Sequence, residues 1–124
     1  MRALLIDDSK TTRRIQRGVL EELGCTEIEE AADGQDAMSR VSAFQPTLIL
    51  LDWYMPNMDG LAFLKAFRKQ DSTTPIIMVT TEAGKSRVID AIRSGVSNFI
   101  IKPFTPDELQ ERIKATLERA SAQA

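Results

Sequence analysis

Histidine is absent from this sequence of 124 residues, and cysteine occurs once. Without histidine, the chain cannot carry Ser-His or Cys-His nucleophilic catalysis or a histidine-ligated metal. The single cysteine, Cys25, excludes an internal disulfide. Because no Cys or His partner is present, Cys25 is interpreted as a small buried hydrophobic residue and not as a nucleophile.

Long apolar runs and blocks of like charge are also missing. No run approaches the ~18 to 20 residues that span a bilayer, and Met1-Arg2 leads directly into Ala3-Leu4-Leu5-Ile6 without the hydrophobic region of a signal peptide. The 16 basic and 18 acidic residues are spread along the chain and give a net charge of −2. We therefore expect a cytoplasmic protein that neither inserts into a membrane nor binds nucleic acid.

The length and composition are those of one ordinary globular domain. The chain is 43% hydrophobic and 27% charged, long enough for a single core and too short for two. We expect one domain over residues 1–120, followed by a frayed tail at 121–124 that is rich in Ala, Ser and Gln.

The most informative stretch is the apolar run Leu48-Ile49-Leu50-Leu51, which ends in Asp52. Four apolar residues between Pro46 and the turn-rich segment 54–60 predict a short strand buried on both faces, as in a parallel sheet. An ionised carboxylate at the end of such a strand must be paired, hydrated or bound to a metal. Core packing therefore does not explain Asp52.

Strand and helix signals alternate along the whole chain. Strands are predicted at 2–6, 25–31, 48–51, 76–79 and 97–101, and helices at 9–23, from Asp33, from Asp59, at about 84–94 and from Pro106. Five such units predict an α/β fold with a doubly wound, five-stranded parallel sheet and right-handed crossovers. The second strand is the most polar and belongs at an edge, which favours the flavodoxin-like (βα)5 order 2-1-3-4-5.

Two helices differ in how much apolar surface they offer to the core. The first predicted helix places Ile15, Val19, Leu20 and Leu23 on one face. The fourth has only Val88, Ile89 and Ile92 as large apolar residues, so we expect it to be the least firmly anchored. These residues are the candidate contacts of the two helices with the core.

In the order 2-1-3-4-5, polar residues end four strands at one edge of the sheet. Asp7 and Asp8 follow the first strand, beside Asp52, and repulsion among the three carboxylates should raise at least one pKa unless a cation is present. Oxygen ligands without His or Cys suit a hard divalent ion, with Mg²⁺ the best match and Mn²⁺ a substitute. Thr80 and Lys102 end the fourth and fifth strands and offer a hydroxyl and an ammonium to a phosphoryl group.

Asp52 could bind such a phosphoryl group or attack it. It lies between the metal side and the Thr/Lys side, which makes it the predicted nucleophile for an aspartyl phosphate. The metal and Lys102 would neutralise the phosphoryl oxygens during transfer.

Each of these residues also has an ordinary explanation when taken alone. Asp7 and Asp8 fit the N-terminus of a helix, Thr80 fits a strand-end hydroxyl bonded to backbone, and Lys102 fits a solvated surface lysine. The joint pattern favours a site, because acid, acid, hydroxyl and amine at four strand ends are improbable as independent accidents.

The chain resembles the receiver domain of two-component response regulators, and most closely the single-domain chemotaxis (CheY-like) type. The resemblance rests on Asp7-Asp8-Ser9, Asp52-Trp53-Tyr54-Met55-Pro56-Asn57-Met58-Asp59-Gly60, Met78-Val79-Thr80-Thr81-Glu82-Ala83 and Phe99-Ile100-Ile101-Lys102-Pro103-Phe104-Thr105. Together these segments run the whole length of the chain, and their combination is far more specific than any one of them.

The resemblance implies a role for each acid of the site. Asp52 would accept a phosphoryl group from the phosphohistidine of a histidine kinase. Asp8, Asp52 and the backbone carbonyl of Tyr54 would ligate one Mg²⁺ directly, while Asp7 would hold the metal through water. The domain would not be an enzyme in the usual sense, since it would catalyse only its own Mg²⁺-dependent phosphorylation and dephosphorylation.

The resemblance also implies a switch. Lys102 would bind the phosphoryl group, with a cis peptide bond to Pro103. The Thr80 hydroxyl would move to the phosphoryl group and vacate space for the Phe99 ring, although Phe99 alone is equally explained as a core aromatic. The face formed by the fourth helix, fifth strand and fifth helix would then bind an output protein, for example in chemotaxis, or the domain would pass its phosphoryl group to a histidine phosphotransfer protein. We expect a monomer.

Two positions depart from the family pattern. Phe99 stands where many chemotaxis regulators have Tyr, so a partner contact through a phenolic hydroxyl is in doubt. Tyr54 stands where the closest relatives have Asn. In the family this position and that of Glu82 flank the path of the water that hydrolyses the aspartyl phosphate, so we hypothesise that Tyr54 crowds the path and lengthens the phosphorylated lifetime.

Two other classes fit less well. A haloacid-dehalogenase-like phosphatase needs a second acid two residues after the nucleophile, where this chain has Tyr54. A flavodoxin-like FMN carrier needs a hydroxyl- and glycine-rich loop after the first strand, where Asp7 and Asp8 would repel a phosphate. A colourless purified protein would exclude the FMN carrier.

Overall fold

The computed structural model describes residues 1–81 and 84–122 and contains one parallel sheet in that part of the chain. The strands are β1 (Arg2–Ile6), β2 (Glu27–Ala31), β3 (Leu48–Leu51), β4 (Ile76–Thr80) and β5 (Asn98–Ile101). The helices are α1 (Lys10–Glu22), α2 (Gly34–Phe44), α3 (Gly60–Arg68), α4 (Lys85–Arg93) and α5 (Pro106–Ala122). The strand order is β2-β1-β3-β4-β5, which confirms the predicted order.

Side chains of the sheet alternate between two apolar cores, one on each face. Leu4, Ile49 and Met78 belong to the core beneath α2, α3 and α4. Leu5 and Leu50 belong to the core beneath α1 and α5. All four residues of the central strand β3 are fully buried, which confirms a strand covered on both faces.

Side-chain caps set where three of the helices begin. The side chains of Ser9, Asp33 and Asp59 accept hydrogen bonds from backbone N–H groups in the first turns of α1, α2 and α3. Gly24 and Gly95 follow α1 and α4 with φ of 89° and 102°, a conformation that glycine adopts without strain. These signals were readable in the sequence, and the helix ends agree with it to within one or two residues.

The predicted inward face of α1 is wrong at one position. Ile15 is 42% exposed, whereas the neighbouring Gln16 is 1% exposed. Gln16, Val19, Leu20 and Leu23 are spaced as one helical stripe, so Gln16 takes the place of Ile15 on the buried face and the other three predicted positions stand. An apolar residue therefore lies in solvent and an amide lies inside.

The structure bears out the weak anchoring predicted for α4. Of the residues of α4, all of which are described, only Ala91 is buried. Ile89 is 36% exposed and Ile92 is 61% exposed. A helix with so little apolar burial is held weakly to the sheet.

The start of β2 and the end of α5 differ slightly from expectation. Strand β2 begins at Glu27, two residues later than predicted, although the preceding Cys25 is buried as expected. Helix α5 runs to Ala122, two residues into the segment for which a frayed tail is predicted, and residues 123 and 124 lie outside the described part. Within the described ranges, no helix is both long and apolar enough to cross a bilayer.

A close backbone approach fixes the loop between β3 and α3. The Gly60 N–H donates to the Trp53 carbonyl at 2.7 Å. A Cβ at Gly60 would lie 2.1 Å from the carbonyl oxygen of Asp52, so no larger residue fits without movement of the backbone. The start of α3 is thereby pressed against the strand end that carries Asp52.

Replacing Gly60 by Ala should lower the free energy of unfolding by about 1–3 kcal/mol, because the backbone around Asp52 must shift to admit the methyl group. Denaturant titration measures the change. Gly18→Ala is the control, since a Cβ at that position within α1 meets nothing within 4 Å and should stabilise by about 0.5–1 kcal/mol. Wild-type stability in Gly60→Ala would contradict the close approach.

Candidate functional site

The strand ends bring the predicted site residues to one edge of the sheet. Asp7, Asp52 and Lys102 directly follow β1, β3 and β5, and Thr80 is the last residue of β4. Backbone hydrogen bonds continue past the strands, from Asp52 N–H to the Ile6 carbonyl and from Lys102 N–H to the Thr80 carbonyl, both at 2.9 Å. The carboxyl ends of parallel strands are where α/β sheets bind ligands.

An ammonium joins two buried carboxylates at this edge. Lys102 Nζ lies 2.9 Å from Asp7 Oδ2 and 3.3 Å from Asp52 Oδ2. Asp7 is 1% exposed and Asp52 is 6% exposed. The ordinary explanation of Lys102 as a solvated surface residue does not hold, because its side chain is largely buried and doubly paired.

The three acids could also hold a cation. Asp7, the exposed Asp8 and Asp52 each offer one carboxylate oxygen, and these oxygens lie within 4.8 Å of one another. A hard divalent ion with ligands at about 2.0–2.1 Å suits an all-oxygen set of this size after slight closure. The donor set therefore fits Mg²⁺.

The acids differ in how many of their oxygens are already engaged. Asp7 Oδ1 accepts from the Ser9 N–H at 2.8 Å, while its Oδ2 accepts from Lys102. Asp52 Oδ1 accepts from the Trp53 N–H at 2.7 Å. The exposed carboxylate of Asp8 is thus the most accessible to an incoming ion.

Burial and charge shift the ionisation of the site. Burial, reinforced by the nearby charge of Asp7, raises the pKa of Asp52, and Lys102 and the Trp53 N–H only partly oppose this. Burial also disfavours the charged Lys102, but its hydrogen bond with Asp7 and the charges of both carboxylates outweigh that effect and raise the pKa of Lys102. The pKa of Asp52 is thus raised in the predicted direction, but burial contributes more to it than the repulsion on which the prediction rested.

Thr80 and Phe99 lie on neighbouring strands and point to the same face. Thr80 is fully buried, and Phe99 is partly buried against the core beneath α4. The parallel register pairs Met78 with Phe99 and Thr80 with Ile101. Thr80 is therefore nearer than Phe99 to the strand ends that form the site. The Phe99 carbonyl accepts a hydrogen bond from Arg112 of α5.

The remaining predicted residues are placed as follows. The Lys102–Pro103 peptide bond is cis. Tyr54 is 46% exposed, two residues beyond Asp52. Glu82, predicted beside the water path, lies outside the described residues.

Two arginines near the site were missed by the sequence analysis. Arg13 of α1 donates to the Asp7 carbonyl and pairs with Glu30 Oε1 at 2.8 Å. Burial opposes ionisation of Glu30, but Arg13 and Arg17 outweigh it and lower the pKa of Glu30.

The second arginine, Arg87 of α4, lies against the rings of Trp53 and Tyr54. Only tertiary contacts distinguish these arginines from solvated ones, so no local signal could have found them.

Comparisons with known proteins agree with this geometry. The chain is 43% identical to the chemotaxis protein CheY1 of Helicobacter pylori over 120 residues, which cover 94% of this chain and 97% of that protein. It is 42% identical over 126 aligned positions to a chemotaxis protein CheY homolog of Campylobacter jejuni, covering 99% of this chain and 97% of that protein.

Solved structures of receiver proteins are also similar to this chain. A CheY-like response regulator receiver domain protein from Methanospirillum hungatei superposes with a TM-score of 0.92 at 28% identity, covering 99% of this chain and 98% of that one. The chemotaxis response regulator CheY4 of Vibrio cholerae superposes with a TM-score of 0.86 at 32% identity, covering 93% and 97%.

The family profile gives the last comparison. The family described as "Response regulator receiver domain" matches residues 3–114, which include all of the sheet except Arg2 and contain its acidic edge. With the strand order, the acidic edge and near-full-length relatives in agreement, this chain belongs to the response regulator receiver domain family.

Proposed function

We propose that this receiver domain accepts a phosphoryl group on Asp52 from the phosphohistidine of a histidine kinase and responds by changing the surface formed by α4, β5 and α5. The observation that carries the proposal is the pairing of the buried Asp52 with Lys102, within reach of Asp7 and Asp8. The names of the curated relatives support a chemotaxis pathway. Cytoplasmic location and a monomeric state remain predictions.

The transfer follows from the atoms at the strand ends. One carboxylate oxygen of Asp52 forms a bond to phosphorus while the P–N bond to the imidazole breaks, and the leaving nitrogen keeps the electron pair. Lys102 already lies beside Asp52 Oδ2 and can follow the oxygens of the arriving group. The Trp53 N–H fixes the orientation of the carboxylate through Oδ1.

The acids are proposed to hold one Mg²⁺, or Mn²⁺ in its place. Asp8, Asp52 and the Tyr54 carbonyl would be direct ligands, and Asp7 would act through water. When bound, the ion would neutralise the phosphoryl oxygens during in-line transfer. On this proposal the domain catalyses only its own phosphorylation and dephosphorylation.

The signal is proposed to leave through the pair Thr80 and Phe99. Movement of the buried Thr80 hydroxyl to a phosphoryl oxygen would open space toward the partly buried Phe99 ring. The neighbouring surface already exposes Ile89, Ile92 and Ile101, which gives a protein partner apolar area to bind. Because Phe99 has no hydroxyl, binding of a partner at this surface would depend on shape and apolar area.

Incubation with Mg²⁺ and acetyl phosphate should add one phosphoryl group, detected by intact mass, and Asp52→Asn should abolish it because the amide cannot form the acyl phosphate. Asp90→Asn, which makes the same change on exposed α4, is the control and should label normally. A label that persists in Asp52→Asn would refute the assignment.

Lys102→Met should strengthen Mg²⁺ binding by about tenfold, because the ammonium and the cation neutralise the same carboxylates. Isothermal titration calorimetry measures the affinity. Lys69→Met removes an exposed lysine beyond α3 and should leave the affinity unchanged. Weaker binding by Lys102→Met would show that the acids are not shared between the two cations.

Tyr54→Asn should speed the loss of phosphate from the labelled protein severalfold, because a smaller side chain would uncrowd the path of water to Asp52. The decay of the intact-mass signal after removal of acetyl phosphate gives the rate. An unchanged or slower rate would defeat the hypothesis that Tyr54 prolongs the phosphorylated state.

A further inference from the structure

One cation contacts both aromatic residues that follow the phosphoacceptor. The guanidinium carbon of Arg87 lies 5.5 Å from the centroid of the Trp53 ring and 5.7 Å from that of the Tyr54 ring. A guanidinium within about 6 Å of a ring centroid is attracted by the ring quadrupole. We call Arg87, Trp53 and Tyr54 the aromatic clamp.

Trp53 connects the clamp to Asp52, the residue directly before it. Trp53 is 2% exposed, and its N–H donates to Asp52 Oδ1 at 2.7 Å. Its carbonyl accepts from the Gly60 N–H, so the Trp53 backbone is held on both sides. The Tyr54 side chain is half exposed, and Arg87 is the cation seen against its ring. The position of the Tyr54 ring therefore depends partly on α4.

Arg87, the cation of the clamp, lies in the first turn of the weakly anchored helix α4. Arg87 is the third residue of α4, which starts after Gly84, a residue with no side chain to cap the helix. The buried Ala91 lies one turn further along. The contacts of Arg87 with two rings join the first turn of α4 to the loop after β3.

We propose that Arg87 is a positioning residue that couples the first turn of α4 to the access of water to Asp52. On this proposal, the contact of Arg87 with both rings keeps α4 close to the loop and keeps Tyr54 over the path of water. A partner that moves the start of α4 would release Tyr54 and shorten the phosphorylated lifetime. The consequence for lifetime rests on the proposed function, whereas the clamp itself does not.

Amide hydrogen exchange of the unphosphorylated protein tests the clamp directly. Arg87→Gln should speed exchange of residues 85–93 by about two- to fivefold, the size expected for loss of exposed cation–π contacts. Arg87→Lys keeps a cation near the rings and should restore part of the protection. Arg93→Gln makes the same charge change in the last turn of α4 and should leave the first turn unaffected.

Two results would overturn the clamp. Unchanged exchange in Arg87→Gln would show that the cation does not hold α4. An equal increase in Arg93→Gln would show that the effect is one of net charge and not of the rings.

A double-mutant cycle on phosphate loss tests the coupling to Asp52. Arg87→Gln should speed loss by about two- to fivefold in the wild-type background and have no further effect in the Tyr54→Asn background, because the ring through which it acts is gone. Equal acceleration in both backgrounds, or none in the wild type, would overturn the coupling. If Asp52 takes no label, the proposed function fails, and the exchange measurement alone decides on the clamp.

Discussion

The ion pairs of Lys102 with Asp7 and Asp52 constrain the rest of the site. These three charges come from the ends of β1, β3 and β5, and both carboxylates are buried. Buried charges are tolerated only when they are paired and hydrogen-bonded. Strand β4 lies between β3 and β5, so the ammonium must pass the end of β4, where Thr80 lies. The strand order thus decides which hydroxyl borders the acids.

This arrangement leaves the site short of positive charge. Three carboxylates lie close together and the ammonium of Lys102 pairs with two of them, while the pKa of Asp52 is raised mainly by its burial and then by the charge of Asp7. A divalent cation would remove the excess negative charge, and a phosphoryl group would then meet a site of suitable sign. On the proposed function, a bound cation would relieve the unfavourable charge of the buried Asp52.

Much of this could be predicted from the sequence because it depends on local signals. The apolar run of β3 identifies the central strand, and capping residues such as Asp59 mark the starts of helices. Asp52 stands out because a charged residue ends a buried strand, and Lys102 because it follows the apolar run 99–101. The errors have a different origin. Whether Ile15 or Gln16 faces the core depends on the exact rotation of α1 against the sheet, which its apolar pattern does not fix. The contact of Arg87 with Trp53 joins distant parts of the chain, and no sequence pattern near Arg87 predicts it.

The contrast between the sheet and α4 has a thermodynamic consequence. The strands β1, β3 and β4 are buried on both faces, so a rearrangement of the sheet would cost many kcal/mol. Helix α4 buries Ala91 and is held at its start by cation–π contacts, each worth on the order of 1 kcal/mol at an exposed position. Coupling free energies between protein sites are typically about 1–3 kcal/mol. If the coupling from Asp52 is of this typical size, it suffices to move α4 but not the sheet, and the proposed signal would then travel through that helix.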